Sequence, residues 1–220
     1  MSYVHKRVTA HIAPASLFQP QTLRMPAEWE PHRATWIAWP HNIEDWPYKF
    51  GPIPWVYTEF VRVLHKSEKV CIVVKNRPHR DMVTKRYLNR AGIDLSQIEF
   101  HCCMTDRSWV RDTGPLFAYA DRNQKCATIW KFNAWAKYKN YEHDLHVAQR
   151  IARFANVPIR YGAHQGKMIV LEGGAIDVNG KGSLLAVEEC LLSLEQVRNP
   201  HLARAKYEEV FAEHLGATKV

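Results

Sequence analysis

A charged stretch at residues 105–115, TDRSWVRDTGP, contains the residue types best suited to chemistry in this chain. Asp106 and Asp112 lie three residues on either side of Trp109, and Gly114-Pro115 ends the stretch. Carboxylates match the planar fork of a guanidinium group, and a tryptophan ring offers a π face to a cation. The stretch could therefore bind a planar cation. It could equally be an Asp-Arg network that only stabilises a turn, and spacing alone does not decide between the two.

A second acidic motif, Glu172-Gly173-Gly174, follows a predicted strand at residues 168–171. The glycines would let the backbone approach a ligand closely. Asp112 also follows a predicted strand, residues 98–104, and ligands in mixed α/β proteins bind beyond strand ends. The two motifs together predict a pocket lined by carboxylates and tryptophan. Such a pocket selects a basic ligand, with a guanidinium favoured over a simple amine.

Alternating strand and helix patterns around these motifs predict an α+β fold. The apolar run at residues 70–74 is typical of a strand covered on both faces. Helices are predicted at residues 55–65, 76–91, 141–155 and 200–215. We expect the first of these helices to bury Val56, Phe60, Val61 and Leu64. Asn179-Gly180 predicts a type I′ hairpin turn between strands at 175–178 and 183–187.

The composition restricts the class of protein. The formal net charge of +8 is spread along the chain, so it argues only weakly for nucleic acid as a partner. The five cysteines show no CxxC spacing, which predicts reduced thiols, a cytoplasmic location, no metal centre and no cofactor. No apolar run reaches the length of about 18 to 20 residues that a membrane span requires. We therefore expect no membrane partner.

Three segments leave alternatives open. Residues 1–24 contain basic residues and no acidic ones, and are read as an N-terminal extension, with a transit peptide as the alternative. The loop at 41–54 is rich in aromatic residues and could be a lid or a pocket wall, or could fill a small core beneath itself. The basic helix at 76–91 could contact nucleic acid, although a solvated face is favoured because no aromatic residues are interleaved with the charges.

Several longer motifs occur together and in order. They are MPAEWEPH (25–32), WIAWP (36–40), the stretch at 105–115, FNAW (132–135), LEGG (171–174), EECLL (188–192) and RNP (198–200). In this combination the chain from residue 25 to residue 220 resembles the agmatine deiminase family. The resemblance implies a five-bladed β/α-propeller, the pentein fold, with about three blades present. It implies the hydrolysis of agmatine to N-carbamoylputrescine and ammonia in putrescine biosynthesis, with agmatine or a related guanidinium compound as the small-molecule partner.

The resemblance also implies roles for individual residues. Trp109 and Asp112 match the residues that bind the substrate guanidinium, and Glu172 matches the carboxylate that supports the catalytic histidine and the substrate. The family uses a cysteine thiolate as nucleophile and a histidine as acid and base. Both lie in segments that have no counterpart in this sequence, and Cys190 matches a cysteine that is not the nucleophile. We therefore expect residues 25–220 to be a truncated domain that is inactive alone.

Two further readings stay open at this point. The chain could be a non-catalytic module that binds agmatine or another polyamine, or that completes its fold with a second polypeptide. It could also form a homo-oligomer. A peptidylarginine deiminase-like substrate is the other alternative, because such enzymes share the implied fold and carboxylates. Agmatine lacks the α-carboxylate of arginine, so a pocket without a clearly placed arginine clamp favours it, but Arg107 and Arg111 keep this question open.

Overall fold

The computed structural model describes residues 23–220. The predicted extension at residues 1–24 therefore lies almost wholly outside the described residues. Its last two residues do contact the rest of the chain: Leu23 is buried, and Arg24 exchanges two backbone hydrogen bonds of 2.8 Å with Tyr119.

The first sheet has three parallel strands in the order β1-β2-β3. Its elements in chain order are β1 (Ala34–Ala38), α1 (Ile53–Leu64), β2 (Lys69–Val74), α2 (Arg77–Val83) and β3 (Ile98–Cys102). Helix α2 continues as a π-helical segment, Thr84–Leu88. Residues 70–74 of the central strand are all buried, which confirms the prediction of a strand covered on both faces.

A short helix connects the first sheet to a second one. The elements are α3 (Val110–Thr113), β4 (Leu116–Ala120), β5 (Gln124–Ile129), α4 (Val147–Phe154) and β6 (Ile159–Tyr161). Strand β5 pairs with β4 in the antiparallel sense and with β6 in the parallel sense. Because α3 lies in the connection, it places the charged stretch between the two sheets.

The last part of the chain contains two hairpins followed by two helices. It contains the small hairpin β7 (Ala163–His164) and β8 (Lys167–Met168), the hairpin β9 (Ile176–Val178) and β10 (Leu184–Ala186), and the helices α5 (Glu188–Leu191) and α6 (Arg204–Leu215). After α6, Lys219 forms a parallel bridge to Ser183. The described residues form these separate sheets without a closed barrel. None of their helices is long and apolar enough to cross a membrane.

The predicted inner face of α1 is confirmed in part. Val61 is buried and Leu64 packs against the same core, but Val56 and Phe60 are 43% and 50% exposed. Pro54 and Thr58 are buried as well. Thr58 can be buried because its hydroxyl donates a 2.7 Å hydrogen bond to the Pro54 carbonyl. The apolar pattern therefore identified part of the buried face, at Val61 and Leu64, and missed Pro54 and Thr58.

The hairpin at Asn179-Gly180 is confirmed, but its predicted type I′ turn is wrong, because Asn179 does not take a positive φ. Val178 pairs with Leu184, so five residues form the loop. Positive φ occurs at Gly180 (72°) and Gly182 (91°). Instead of taking a left-handed conformation, Asn179 accepts hydrogen bonds through its side chain from the backbone N–H groups of Lys181 and Ser183.

Candidate functional site

Asp112 is held by two donors that come from distant parts of the chain. Its Oδ2 accepts a 3.0 Å hydrogen bond from the Trp135 indole Nε1, and its Oδ1 accepts a 2.9 Å bond from the Gly174 backbone N–H. The carboxylate is partly accessible on α3. The two predicted motifs, the charged stretch and Glu-Gly-Gly, therefore meet at this side chain.

The two glycines after Glu172 are required by close packing against α3. A Cβ atom on Gly174 would lie 2.5 Å from Asp112 Oδ1, and one on Gly173 would lie 2.5 Å from the Arg111 carbonyl oxygen. Real Cβ atoms do not tolerate such contacts, so larger residues would displace the carboxylate or the helix. The sequence predicted that these glycines allow a ligand to approach; in the structure they allow α3 to approach.

Trp135 reaches Asp112 from a left-handed turn. Ala134, Trp135 and Ala136 have φ values of 51°, 59° and 53°, although none is glycine. Such a conformation costs about 1–2 kcal/mol per residue, so the surroundings must enforce it. The Asn133 side chain accepts a 3.0 Å hydrogen bond from Ala136 N, and the Phe132 ring packs edge-on against Trp135 at 5.1 Å. This strained turn aims the indole N–H at the carboxylate.

Trp109 forms an aromatic wall together with the loop at 41–54. Trp109 is 40% exposed, and its ring lies 5.4 Å from that of Trp46, which also contacts Phe50 and Tyr57. Trp46 thus fills a small aromatic cluster under the loop and at the same time contacts the predicted site residue. The loop therefore fills a small aromatic core, and its role as a lid or a pocket wall stays a prediction.

Glu172 is buried beside Asp112 and paired with Arg198. Arg198 Nε donates a 2.9 Å hydrogen bond to Glu172 Oε1, and both side chains are at most 5% exposed. Burial raises the pKa of Glu172, the Arg198 guanidinium opposes this, and the negative charge of Asp112 raises it further. Oε2 of Glu172 is buried and has no hydrogen-bond partner among the described residues. This oxygen is an acceptor available to a cation that enters beside Asp112.

Cys190 lies near the same carboxylates. Burial raises the pKa of its thiol; Arg198 lowers it, while Glu172, Glu189 and Asp112 raise it. A protonated thiol is a poor nucleophile. The electrostatics therefore agree with the expectation that Cys190 is not a nucleophile.

Arg107 and Arg111, the two candidate carboxylate clamps, are both engaged by acidic residues of the chain. Arg107 is buried and its Nη1 lies 2.5 Å from Asp45 Oδ1. Arg111 is exposed and its Nη1 lies 2.5 Å from Glu28 Oε1. Both guanidinium groups therefore already have an acidic partner.

Asp144 supports the charged stretch and was not identified from the sequence. Its Oδ1 accepts hydrogen bonds from the backbone N–H groups of Asp106 (2.9 Å) and Arg107 (3.4 Å). Burial raises the pKa of Asp144 from 3.8 to about 6, although these two N–H groups lower it. A buried aspartate in a predicted helical segment gave no signal of this role, since its partners are backbone groups 37 and 38 residues away.

The raised pKa of Asp144 predicts a pH dependence of stability. The folded state binds the proton more tightly than the unfolded state, so the free energy of unfolding falls as pH rises from about 4 to about 6. The full effect is about 3 kcal/mol. Asp144→Asn keeps the acceptor Oδ1 but cannot ionise. It should therefore remove most of this fall in the free energy of unfolding. Urea unfolding at several pH values within this interval measures it.

The exposed Asp121 is a suitable control for this measurement. Asp121→Asn should leave the pH dependence as it is in the unmodified chain. An Asp144→Asn variant whose stability falls across the interval as steeply as that of the unmodified chain would contradict the role of Asp144.

The sheets and helices match solved structures of deiminases. The agmatine deiminase of Enterococcus faecalis aligns with a TM-score of 0.77 and 29% identity, covering 90% of this chain and 52% of that one. A Campylobacter jejuni agmatine deiminase variant with substrate bound aligns with a TM-score of 0.76 and 26% identity, covering 92% and 56%. The fold of the chain is thus of the pentein type found in deiminases.

The family follows from the sequence match. Residues 24–220 match the family of Porphyromonas-type peptidyl-arginine deiminases, and the chain belongs to this family. Agmatine deiminases of Ectopseudomonas mendocina and Pseudomonas aeruginosa are 35% and 31% identical over 89% and 94% of this chain. The chain spans about half the length of these curated relatives, 51% and 54%. The resemblance to agmatine deiminases is confirmed.

Proposed function

We propose that this chain forms the guanidinium-binding part of an agmatine deiminase-type hydrolase. Asp112 supports this most directly, since it is a partly accessible carboxylate held in place by Trp135 and Gly174. Such a carboxylate accepts charge-assisted hydrogen bonds from the planar fork of a guanidinium. Trp109 supplies a π face, and Glu172 supplies a second acceptor at its unpaired Oε2. A complete enzyme of this kind hydrolyses agmatine to N-carbamoylputrescine and ammonia, in putrescine biosynthesis.

Agmatine is the preferred substrate in this proposal. Free arginine differs from agmatine by an α-carboxylate, which a selective site would pair with a cation. Arg107 is buried and paired with Asp45, and Arg111 is paired with Glu28. A substrate carboxylate would therefore have to displace an existing ion pair. The family name keeps peptidyl-arginine as the second candidate, since an arginine within a peptide also lacks a free carboxylate.

The proposed activity of these 220 residues alone is binding without turnover. Deimination requires a thiolate to attack the guanidinium carbon and an acid–base group to assist loss of ammonia. Burial raises the pKa of Cys71, Cys103, Cys126 and Cys190. Cys102 is exposed, and it lies on the strand before the charged stretch, outside any motif of the nucleophile. Residues 25–220 are proposed to act as one guanidine-binding domain.

Calorimetric titration with agmatine tests this proposal. We expect agmatine to bind, and putrescine, which carries no guanidinium, to bind much more weakly. Asp112→Asn removes the charge and should weaken agmatine binding by about 10- to 150-fold, because a hydrogen bond to a charged group contributes about 1.5–3 kcal/mol. Nα-acetyl-arginine amide, as a mimic of a peptide arginine, separates the two candidate substrates.

Asp177→Asn is the matched control, since Asp177 is a nearby carboxylate that is 73% exposed. Its affinity for agmatine should stay within about twofold of that of the unmodified chain, as expected for the loss of an exposed charge. Equal affinity of the unmodified chain and the Asp112→Asn variant would refute the proposed site. Ammonia release from agmatine by the purified chain would refute the proposal of binding without turnover.

A further inference from the structure

A second cluster of reactive side chains lies on the first sheet, away from the guanidinium site. Cys71 on β2 is paired in register with Glu99 on β3, and His101 follows two residues later on β3. Side chains two residues apart on a strand point to the same face, so the three side chains converge there. The Cys71 Sγ, a Glu99 carboxylate oxygen and a His101 ring nitrogen all lie within 4.8 Å of one another.

The His101 ring is fixed and one of its nitrogens is unused. The ring lies between Trp36 and Phe154, with centroid distances of 4.6 Å to each. Its Nε2 is buried and has no hydrogen-bond partner among residues 23–220. The Glu99 Oε2 atom lies 3.9 Å away, beyond hydrogen-bond distance. A buried polar atom without a partner is costly and calls for an explanation, such as a ligand that is bound there in the working protein.

The other two side chains differ in accessibility. Cys71 is 3% exposed, whereas the Glu99 side chain is 46% exposed and its Oε1 pairs with Lys69 Nζ at 2.6 Å. The Lys69 side chain is itself 48% exposed, so this ion pair is weak and can open. An ion could therefore reach the cluster from the side of Glu99, while Cys71 and His101 stay in place.

We propose that Cys71, Glu99 and His101 form a binding site for Zn²⁺, with water as the fourth ligand. Thiolate sulfur, imidazole nitrogen and carboxylate oxygen are the donors that zinc prefers, and three protein ligands leave one position open. The ion binds when the Cys71 S–H bond breaks, the Zn–S bond forms and the proton passes to solvent. Glu99 moves from Lys69 to the ion to complete the site.

This proposal departs from the sequence-based expectation of no metal centre. That expectation rested on the absence of closely spaced cysteines. The cluster instead contains a single cysteine and is created by the parallel register of β2 and β3, which brings Cys71 beside residues 28 and 30 positions later in the chain. Spacing rules for metal motifs do not detect a site formed in this way.

Cobalt and zinc titrations of the full chain test the proposal. Co²⁺ bound to a thiolate gives a sulfur-to-metal charge-transfer band in the near ultraviolet, which surface histidines do not produce. We expect this band to rise to a 1:1 end point and to be lost when Zn²⁺ displaces Co²⁺. Cys71→Ser should abolish the band and weaken Zn²⁺ binding, measured against a chromophoric chelator, by at least about 10-fold.

Two further variants keep this test decisive. Cys102→Ser is the matched control, because Cys102 is exposed on the same strand as His101 but is not part of the cluster. It should keep the band and the affinity. Glu99→Gln changes an exposed side chain, so the protein should fold even if Cys71→Ser does not, and it should weaken Zn²⁺ binding while the band remains. The proposal would be overturned if the unmodified chain gave no band, if Cys71→Ser kept the band, or if Cys102→Ser lost it. An unchanged Zn²⁺ affinity in Glu99→Gln would also overturn it.

Discussion

Arg107→Ala should destabilise the folded chain by about 3–5 kcal/mol, because it leaves a buried carboxylate without its counter-charge. Arg107 Nη1 lies 2.5 Å from Asp45, and Nη2 donates a 2.9 Å hydrogen bond to Asn140. The guanidinium also lies 4.0 Å from the centre of the Tyr138 ring. The side chains of Arg107 and Asp45 are 3% and 0% exposed, so the carboxylate is shielded from solvent in the folded chain.

Asp45 explains why the expected effect is large. Burial raises the pKa of Asp45, and the hydrogen bond and charge of Arg107 lower it. Its second oxygen, Oδ2, is already buried without a partner among the described residues. Once Arg107 is removed, the carboxylate must take up a proton or draw water into the interior. Either response weakens the packing of the loop at 41–54 on the charged stretch.

Urea unfolding of Arg107→Ala beside Arg111→Ala measures this effect against a matched control. Both arginines belong to the same stretch and both form an ion pair, but Arg111 and its partner Glu28 are 45% and 49% exposed. An exposed pair contributes about 0–1 kcal/mol, so Arg111→Ala should be almost neutral. Similar losses of stability in the two variants would contradict the role assigned to the buried pair.

The same substitution should also weaken agmatine binding. Tyr138, on which Arg107 stacks, packs edge-on against Trp135 at 5.9 Å. Trp46, the neighbour of Asp45 in sequence, packs on Trp109. Loss of Arg107 therefore loosens the supports of both tryptophans in the proposed pocket. Under conditions in which the variant is still folded, its affinity should fall although Arg107 itself does not face the ligand.

The second large effect is expected for Arg198→Ala, which should also destabilise the chain by about 3–5 kcal/mol. Arg198 joins Glu172 to the Gln196 carbonyl, with hydrogen bonds of 2.9 Å and 2.5 Å. Without Arg198, burial and the charge of Asp112 would both raise the pKa of Glu172, opposed only by a backbone hydrogen bond. Glu172 would then carry a buried charge without its counter-charge, and agmatine binding should decrease together with stability.

A double-mutant cycle identifies the cause of this second effect. Glu172→Gln in the Arg198→Ala background removes the unpaired charge and should restore part of the stability, without restoring agmatine binding. Arg204→Ala serves as the control, since Arg204 forms ion pairs with Glu188 and Glu208 but its side chain is 64% exposed. Its loss of stability should stay below about 1 kcal/mol. If Glu172→Gln gives no rescue, the charge of Glu172 is not what destabilises Arg198→Ala.

The sequence was informative where a signal is local. The run at 70–74 identified β2, and Asn76 with Pro78 marked the start of α2, where the Asn76 side chain accepts a 2.9 Å hydrogen bond from His79 N. Asp112 and Glu172 were located by their positions after strands and by resemblance. These predictions depend on neighbours within a few residues, which a sequence displays directly.

The sequence was uninformative where a partner is distant or a conformation is strained. The Asp45–Arg107 pair joins residues 62 positions apart, and the cysteine, glutamate and histidine of the proposed zinc site meet only through strand register. The left-handed turn around Trp135 contains no glycine, so the residue types at this turn do not predict its conformation. Long-range packing of the described residues decides all three features.

Asp112 joins segments that are far apart along the chain. Its donors, Trp135 and Gly174, lie 23 and 62 residues after it. A site of such high sequence separation forms only after the loop-closure entropy of these segments has been overcome, so it should be among the later features to appear during folding. A guanidinium that binds there contacts all three segments through one carboxylate. Bound agmatine should therefore raise the free energy of unfolding of the chain, because a ligand that binds only the folded state stabilises it through mass action. It should also slow hydrogen exchange in strands far from the pocket.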